Sequence, residues 1–348
     1  MIGYGVTIAG VGQFAPPGIL TNEDFEKFVD TSDEWIVQRT GMKRRHIAGP
    51  AQATSDIALP AALAALDAAA KSPADVECIV VATATPDFPF PATACILAAR
   101  LGIAGIPAFD VQIACSGFVY GLTTAAALVR SGVYKTVLLL GCETLSKITD
   151  YTDRTTCVLF GDGAGAVVLE RSDVDCFLGC DLGTDGRDVS ALYMPVGGSR
   201  NPSGSKGFAG ADRGAFIRMQ GQSVFKIAVQ QMAASTSSAL RQACLGCDRV
   251  DFIIPHQANL RIIDATVKAL KLPPERCVIN IQEYGNTSSA SIPMALAEAV
   301  ADGRIRKDHI VVFVAFGGGL SWGAVVWRWG GAAARLASEA EHTAAVPA

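Results

Sequence analysis

Ala108-Phe-Asp-Val-Gln-Ile-Ala-Cys115-Ser-Gly-Phe118 and Cys277-Val-Ile-Asn-Ile-Gln-Glu-Tyr-Gly-Asn286-Thr-Ser288 are the two stretches on which the fold turns. After Cys115 come a small-residue helical run (116–130), Gly132 and a β-rich run (136–140). After Asn286 come a second helical run, Gly303 and a β-rich run (310–314). Cys115 to Gly132 and Asn286 to Gly303 are both intervals of 17 positions. Upstream, Val76-Glu-Cys-Ile-Val-Val-Ala82 parallels Val250-Asp-Phe-Ile-Ile-Pro-His256. Helix, turn and flanking strands all keep step, which indicates duplication of one α/β unit. On this reading Cys115 and Asn286 hold equivalent places, each between a strand and the start of a helix. Two such units about a pseudo-two-fold axis bring both helix N-termini to one cleft, with His256 at the same end.

The rest of the chain supports an α/β fold. Strand-like runs such as Cys78-Ile-Val-Val-Ala82 and residues 164–169 alternate with helical ones and are uninterruptedly apolar, as strands buried on both faces are. The apolar run 310–327 is broken by Gly317-Gly318-Gly319, which suits a buried hairpin better than a membrane helix. The expected organisation is a first half, 1–175, carrying the cysteine, and a second half, 176–330, carrying His256 and Asn286. Residues 184–215 are rich in Gly, Asp, Arg, Ser and Pro and read as a long loop or cap. The Ala-rich residues 331–348 lack a sustained apolar stripe and read as a disordered tail.

The 348 residues are 50% hydrophobic and 18% charged, enough apolar material for a large core. A formal net charge of −4 gives no overall attraction to nucleic acid or to an anionic membrane. The N-terminus has no basic segment and is interrupted by Gly12 and Pro16-Pro17, so it reads as a strand and the protein as cytoplasmic. Ten cysteines in such a chain are expected to be reduced. Cys244 and Cys247 form a lone CxxC without a second ligand pair, so no metal site is expected.

Taken singly, the candidate residues have plain explanations. Cys115 reads as one buried thiol among ten, His256 as a satisfied strand-end histidine and Asn286 as a helix N-cap. Together, at duplicated strand ends, they can form one site. A helix N-terminus before Cys115 would favour the thiolate, since each pKa unit of depression is worth about 1.4 kcal/mol.

Several strings identify a family. Gln-Ile-Ala-Cys115-Ser-Gly-Phe, Pro-His256-Gln-Ala-Asn-Leu-Arg, Gly-Asn286-Thr-Ser and Ala315-Phe-Gly-Gly-Gly-Leu-Ser-Trp-Gly closely resemble β-ketoacyl-acyl carrier protein synthase III. So do Asp33-Glu-Trp-Ile-Val-Gln-Arg-Thr-Gly41 and Phe160-Gly-Asp-Gly-Ala-Gly165, and the match runs in order from about residue 2 to 329. The resemblance implies a thiolase-like, five-layered α-β-α-β-α fold and a homodimer. It implies decarboxylative condensation of a short acyl-CoA primer, acetyl-CoA, with malonyl-acyl carrier protein, without metal or redox cofactor, to begin type II fatty acid synthesis. Cys115 would carry the acyl group, with the backbone N–H groups of Cys115 and Gly318 around the oxyanion. His256 and Asn286 would hold the malonyl thioester oxygen, and Phe316 would exclude water.

The same resemblance assigns Trp35 and Arg154 to the CoA adenine, Arg39 to a CoA phosphate and Asn259 to pantetheine. Gln257, Ala258, Asn259, Leu260, Arg261, Lys226 and Lys268 would meet the carrier protein. Ala269 stands where the family often has a second lysine, and Lys271 is the nearest substitute. Phe90 would reach across the dimer to close the partner's acyl pocket and favour a short primer. Three alternatives remain at this point: a relative serving a secondary-metabolite pathway, a papain-like thiol hydrolase, and a non-catalytic acyl-binding homologue. The intact Cys-His-Asn set and the duplication favour condensation.

Overall fold

The apolar runs of the sequence become strands covered on both faces. The computed structural model describes residues 3–203 and 215–338. Its strands are β1 (Gly5–Phe14), β2 (Gly18–Thr21), β3 (Arg44–Ile47), β4 (Cys78–Ala82), β5 (Ala108–Val111), β6 (Thr136–Thr144) and β7 (Asp162–Ser172). They continue with β8 (Phe177–Thr184), β9 (Leu192–Tyr193), β10 (Arg218–Met219), β11 (Phe252–Pro255), β12 (Ile310–Gly317), β13 (Ser321–Arg328) and β14 (Ala333–Leu336). The helices of the described residues are α1 (Asn22–Phe25), α2 (Asp33–Thr40), α3 (Thr54–Ala68), α4 (Thr93–Arg100), α5 (Gly117–Arg130), α6 (Gly221–Gln242), α7 (Leu260–Ala269), α8 (Ile281–Tyr284) and α9 (Ser291–Ala301).

Two sheets carry the architecture, in the orders β14-β1-β7-β6-β4-β5 and β11-β12-β13-β8. Short ribbons β2-β3 and β9-β10 lie outside them. In the first sheet β4 runs parallel to β6, β6 antiparallel to β7 and β7 antiparallel to β1. The second sheet repeats the pattern: β11 parallel to β12, β12 antiparallel to β13, β13 antiparallel to β8. The duplication read from the sequence is thus a duplication of topology. One strand is lost in the second copy. Where β5 pairs with β4 over four positions, residue 277 meets β11 by a single bridge, Ile253 to Cys277.

α5 and α9 lie between the sheets, in a core that joins Phe118 and Leu122 to Ile292 and Leu296, and Val80 to Val311. A helix with a sheet on each side must be apolar nearly all round and thin. α5 meets this with small residues: a Cβ at Gly121 would lie 2.7 Å from the Leu139 side chain. α3 and α4 cover the outer face of the first sheet, and α6 and α7 that of the second. The outer helices are amphipathic; α7 buries Ile262, Ile263, Thr266 and Val267 and exposes Arg261, Asp264 and Lys268. The order α3/α4, sheet, α5/α9, sheet, α6/α7 makes five layers, as in thiolase.

The expected disordered tail is corrected at its start. Ala333–Leu336 form β14, parallel to β1, and the Ala337 N–H donates to Gln13 O at 2.9 Å. The free edge of β1 supplies backbone partners that a weak side-chain pattern does not announce. Residues 339–348 lie outside the described residues, as does 204–214 of the expected loop; the described part of that loop contains β9 and a 3₁₀ turn, Gly186–Ala191, and β10 follows it.

Candidate active site

Cys115 sits in a 3₁₀ turn, Ala114–Ser116, that leads into α5. Ala114 holds φ of 46°, a left-handed conformation uncommon for a residue with a side chain. The turn rests against the end of β12. A Cβ at Gly317 would lie 2.8 Å from both the Cβ and the N of Cys115, so only glycine permits this approach.

The thiol is 9% exposed, and burial pushes it up to about 12; the nearby Glu143 carboxylate adds to the rise, while a hydrogen bond with the Ser288 side chain opposes it. The expectation of a thiolate stabilised by a helix start is therefore corrected. The regular helix begins two residues later, at Gly117, without a side-chain cap, and desolvation dominates.

His256 follows β11 directly and is buried, which holds its imidazole down to about 3. Its tautomer follows from donor counting. The Ser291 hydroxyl donates to Ser288 O at 2.8 Å and accepts from the Gln257 N–H at 3.3 Å. His256 Nδ1 lies 2.7 Å from the same Oγ, so Nδ1 is the donor and the neutral ring presents a bare Nε2. Asn286 precedes a second 3₁₀ turn, Ser288–Ala290. Its Oδ1 accepts from the Ser288 N–H at 2.9 Å, which leaves the amide NH₂ to donate.

The second turn also sharpens the repeat. Cys78 and Phe252, Ala114 and Ser288, Gly117 and Ser291, and Thr136 and Ile310 each begin matching elements and lie 174 positions apart. By that register the counterpart of Cys115 is Ser289, and Asn286 matches Gln112. The equal spacings to Gly132 and Gly303 mislead by three residues, because α9 is three residues shorter than α5 and its following connection is three longer.

Cys115, His256, Asn286, Phe316 and Gly318 all line one cavity of about 1020 Å³. Trp35, Arg39, Ala258, Asn259 and Arg261 line it too. Arg154 lies over the Trp35 ring at 4.7 Å from the centroid, and Arg39 at 5.9 Å. A flat base between Trp35 and Arg154 therefore requires the guanidinium to swing out. Asn259 caps α7: its Oδ1 accepts from the Arg261 N–H at 2.9 Å and its Nδ2 donates to Arg39 O at 3.0 Å.

Lys226 on α6 and Arg261 and Lys268 on α7 are exposed, and none is in an ion pair among the described residues. Leu260 is half-buried, against Gly41. Gln257 corrects its expected place at a partner surface. It is 1% exposed; its amide donates to Pro255 O and Val278 O and accepts from the Asn280 N–H. Phe90 is 85% exposed on the loop after β4.

Sequence reasoning missed Glu143, the last charge of an otherwise apolar strand. It is fully buried, and burial raises its carboxyl. It accepts from Thr85 Oγ1 at 2.7 Å, the Ala84 N–H at 3.0 Å and Thr83 Oγ1 at 3.2 Å, and Ser289 Oγ lies 3.0 Å away. A single charged residue, next to last in a strand of nine buried positions, was the available signal. Among the described residues no cluster of His, Cys, Asp and Glu is placed to hold a metal ion, and no helix is long and apolar enough to cross a membrane.

A duplicated α/β unit that converges a cysteine, a histidine and an asparagine on one apolar cavity defines a thiolase-fold condensing enzyme, an acyltransferase. Family models described as 3-oxoacyl-[acyl-carrier-protein] synthase III match residues 109–186, and its C-terminal part residues 240–329. The β-ketoacyl-[acyl-carrier-protein] synthase III of Desulfitobacterium hafniense is 50% identical over 93% of this chain and 98% of its own. The crystal structure of 3-oxoacyl-[acyl-carrier-protein] synthase III from Aquifex aeolicus superposes with a TM-score of 0.87 at 43% identity, over 93% of this chain and 100% of that one. The synthase III of Thermus thermophilus gives 0.87 at 44% identity, over 94% and 100%. This chain belongs to the 3-oxoacyl-[acyl-carrier-protein] synthase III family.

Proposed function

We propose that the chain condenses acetyl-CoA with malonyl-acyl carrier protein, giving a 3-oxoacyl-carrier thioester, CoA and carbon dioxide, and so initiates type II fatty acid synthesis. The observation that carries this is Cys115 seated on Gly317 in the wall of the cavity that His256 and Asn286 also line. The first half, residues 1–175, supplies the nucleophile, and the second, residues 176–330, supplies His256 and Asn286.

In the first step Cys115 Sγ attacks the primer's carbonyl carbon. The carbon–sulfur bond to CoA breaks, and the thiol proton ends on CoA. Covalent capture divides one hard reaction into two easier ones. The tetrahedral oxyanion takes hydrogen bonds from the backbone N–H groups of Cys115 and Gly318.

In the second step the malonyl group loses carbon dioxide, and the electron pair passes to the thioester enolate. The Asn286 NH₂ donates to the enolate oxygen, because its Oδ1 is already taken. His256 donates beside it in its other tautomer: the Nδ1 proton leaves to solvent, Nε2 takes one up from solvent, and Ser291 turns its hydroxyl from Ser288 O to Nδ1, giving up one hydrogen bond at a cost of about 1 kcal/mol. The enolate carbon attacks the acyl carbonyl, Cys115 leaves as thiolate, and a solvent proton restores the thiol. Phe316, 4% exposed, keeps water from the acyl group. The steps use protein groups only and call for no metal or redox cofactor.

Trp35 and Arg154 fit the adenine, Arg39 a phosphate, and Asn259 the pantetheine arm after exchanging its bond to Arg39 O. The free cations of Lys226, Arg261 and Lys268 suit an acidic carrier protein, with exposed Lys271 beside Ala269. Phe88 and Phe90, 56% and 85% exposed, form an apolar pair that suits burial in a homodimer, where Phe90 would close the acyl pocket of the second copy. Ten unpaired cysteines suit a reducing cytosol.

Mass spectrometry after incubation with acetyl-CoA tests the reading, together with carbon dioxide release from malonyl-acyl carrier protein. An acetyl adduct on wild type, absent from Cys115→Ala, and carbon dioxide in the presence of both substrates are expected. An adduct without carbon dioxide removes the synthase reading; no adduct removes the nucleophile.

A further inference from the structure

Arg45 is a fully buried cation that the mechanism above does not use. It lies on β3 and is 0% exposed. Phe25, Met42 and Val158, which it touches, belong to one buried apolar cluster. Among the described residues no carboxylate lies within ion-pair distance of it, and burial holds the guanidinium down to about 10. Burying an unpaired cation is costly, and an apolar side chain of similar size is often the more stable choice. What the guanidinium holds therefore matters.

One Nη donates to Asn22 Oδ1; the other donates to Val158 O and, at 3.8 Å, to Met42 Sδ. Asn22 is fixed in turn. Its NH₂ donates to Asp33 Oδ1 at 2.7 Å and to Met42 O at 2.8 Å, so only Oδ1 faces Arg45. Val158 opens the segment that clamps Asn286. The Asn286 N–H donates to Leu159 O at 2.9 Å, and the Gly161 N–H donates to Asn286 O at 3.0 Å. The stem of Arg45 lies against the same two pieces of chain. A Cβ at Gly285 would lie 2.9 Å from Arg45 Cγ, and one at Gly161 3.3 Å from Arg45 Cβ. With its backbone held on both sides, Asn286 gives Oδ1 to the Ser288 N–H and keeps its NH₂ free for substrate.

We propose that Arg45 is a positioning residue for the second step: its hold on Val158 O fixes residues 159–161 against Asn286 and so aims the Asn286 amide at the enolate oxygen. The proposal rests on the condensing reaction above and adds a residue to its malonyl half. Arg45 touches no reacting atom, and its effect passes through Asn286. Carbon dioxide release therefore depends on Arg45, whereas acylation of Cys115, which is seated on Gly317, does not. The competing role lies at the other end of the guanidinium. Asp33 begins α2, the helix of Trp35 and Arg39, so an action through Asn22 would weaken acetyl-CoA binding instead.

The test follows the half-reactions separately: acetylation of Cys115 by rapid-quench mass spectrometry, and carbon dioxide release from malonyl-acyl carrier protein by the acetylated enzyme. Wild type, Arg45→Met, Arg45→Lys, Asn286→Asp and the double variant Arg45→Met/Asn286→Asp are compared, with circular dichroism and melting to establish folding. Expected for Arg45→Met is carbon dioxide release lower by roughly 30-fold, with acetylation and the KM for acetyl-CoA within about twofold of wild type. Arg45→Lys keeps a cation but not the two-pronged reach, and should fall between. The double variant should release carbon dioxide no more slowly than Asn286→Asp alone, because the two residues act as one unit.

Equal losses in both half-reactions, or a raised KM for acetyl-CoA, overturn the proposal. So does a double variant whose loss is the product of the two single losses, since Arg45 would then act apart from Asn286. Unchanged carbon dioxide release in a folded Arg45→Met overturns it too. If Arg45→Met does not fold, Arg45→Lys with and without Asn286→Asp decides by the same comparison. If wild type itself forms the acetyl adduct but releases no carbon dioxide, the condensing reading fails instead.

Discussion

Ala114-Cys115-Ser116 and Ser288-Ser289-Ala290 are one piece of backbone built twice. Each is a 3₁₀ turn ahead of an interior helix, and each opens on a residue in the left-handed region, at φ of 46° and 49°. Each rests against a strand from the other half. Gly317 of β12 meets the cysteine turn, and Glu143, 174 positions earlier on β6, meets the serine turn. A glycine opposite the thiol lets it reach the cavity wall. Glu143 opposite Ser289 ties that side chain down: the hydroxyl lies 3.0 Å from Glu143 Oε1 and donates its one proton to Ala82 O at 2.8 Å. Duplication supplies the geometry, and the site comes from what the two copies no longer share.

The largest expected effect tests that asymmetry directly. Cys115→Ala should abolish the acetyl adduct and lower condensation by at least about 10⁴-fold, because nothing else in the site can hold the acyl group. Ser289→Ala, at the equivalent place, should keep the adduct and cost about 1–2 kcal/mol in a denaturant melt, from two lost hydrogen bonds. An acyl group found on Ser289 would make the turns chemically alike and undo the comparison.

Asn286→Asp comes next. It keeps the acceptor for the Ser288 N–H and removes the donor to the enolate oxygen. Carbon dioxide release should fall by about 10²–10³-fold, while acetylation of Cys115 stays near wild type. Equal losses in both half-reactions would place Asn286 in support of the turn rather than in the second step.

The sequence shows where the sheets and the site residues are, but not the exact register of the repeat. Cys78–Ala82 has the bounds read from it, and Thr136 and Ile310 start their strands as expected, because strands covered on both faces are uninterruptedly apolar. The register slips by three residues because a shortened helix and a lengthened loop cancel between Asn286 and Ile310. Gln257 reads as a surface residue from its motif, yet its amide spans three backbone groups. Glu143 is visible as a letter, but its hydroxyl partners are Thr83, Thr85 and Ser289, and only the fold brings them together. β14 depends on an open strand edge, which leaves no mark in its own side chains.

Gly317→Ala probes the seat of the cysteine turn. The added Cβ would lie 2.8 Å from Cys115 backbone and Cβ, where neither partner can yield freely. A loss of about 3 kcal/mol in a thermal or denaturant melt is expected, with acylation impaired. Gly318→Ala, whose Cβ would meet nothing closer than Leu192 O at 3.1 Å, should cost less stability. The reverse order would mean that the approach of β12 to the turn is not what fixes Cys115.

The smallest effect concerns the strand ends, where the copies differ again: His256 stands 174 positions after Ala82, the apolar residue that closes β4. Burial holds the folded histidine at about 3, below its usual 6.5. Between those values the unfolded chain binds a proton that the folded chain refuses. The folded state therefore loses stability as pH falls through that window, and the contribution is full only above about pH 6.5. Its slope is at most about 1.4 kcal/mol per pH unit for one proton. Glu143, Asp162 and Asp110, raised by burial, act in the opposite sense, so the difference between wild type and His256→Gln isolates the histidine. Denaturant melts from pH 7 to pH 5 should show wild type losing more stability than the variant. Parallel curves would mean that water reaches the ring, and that the end of β11 is not the dry site its second-step chemistry needs.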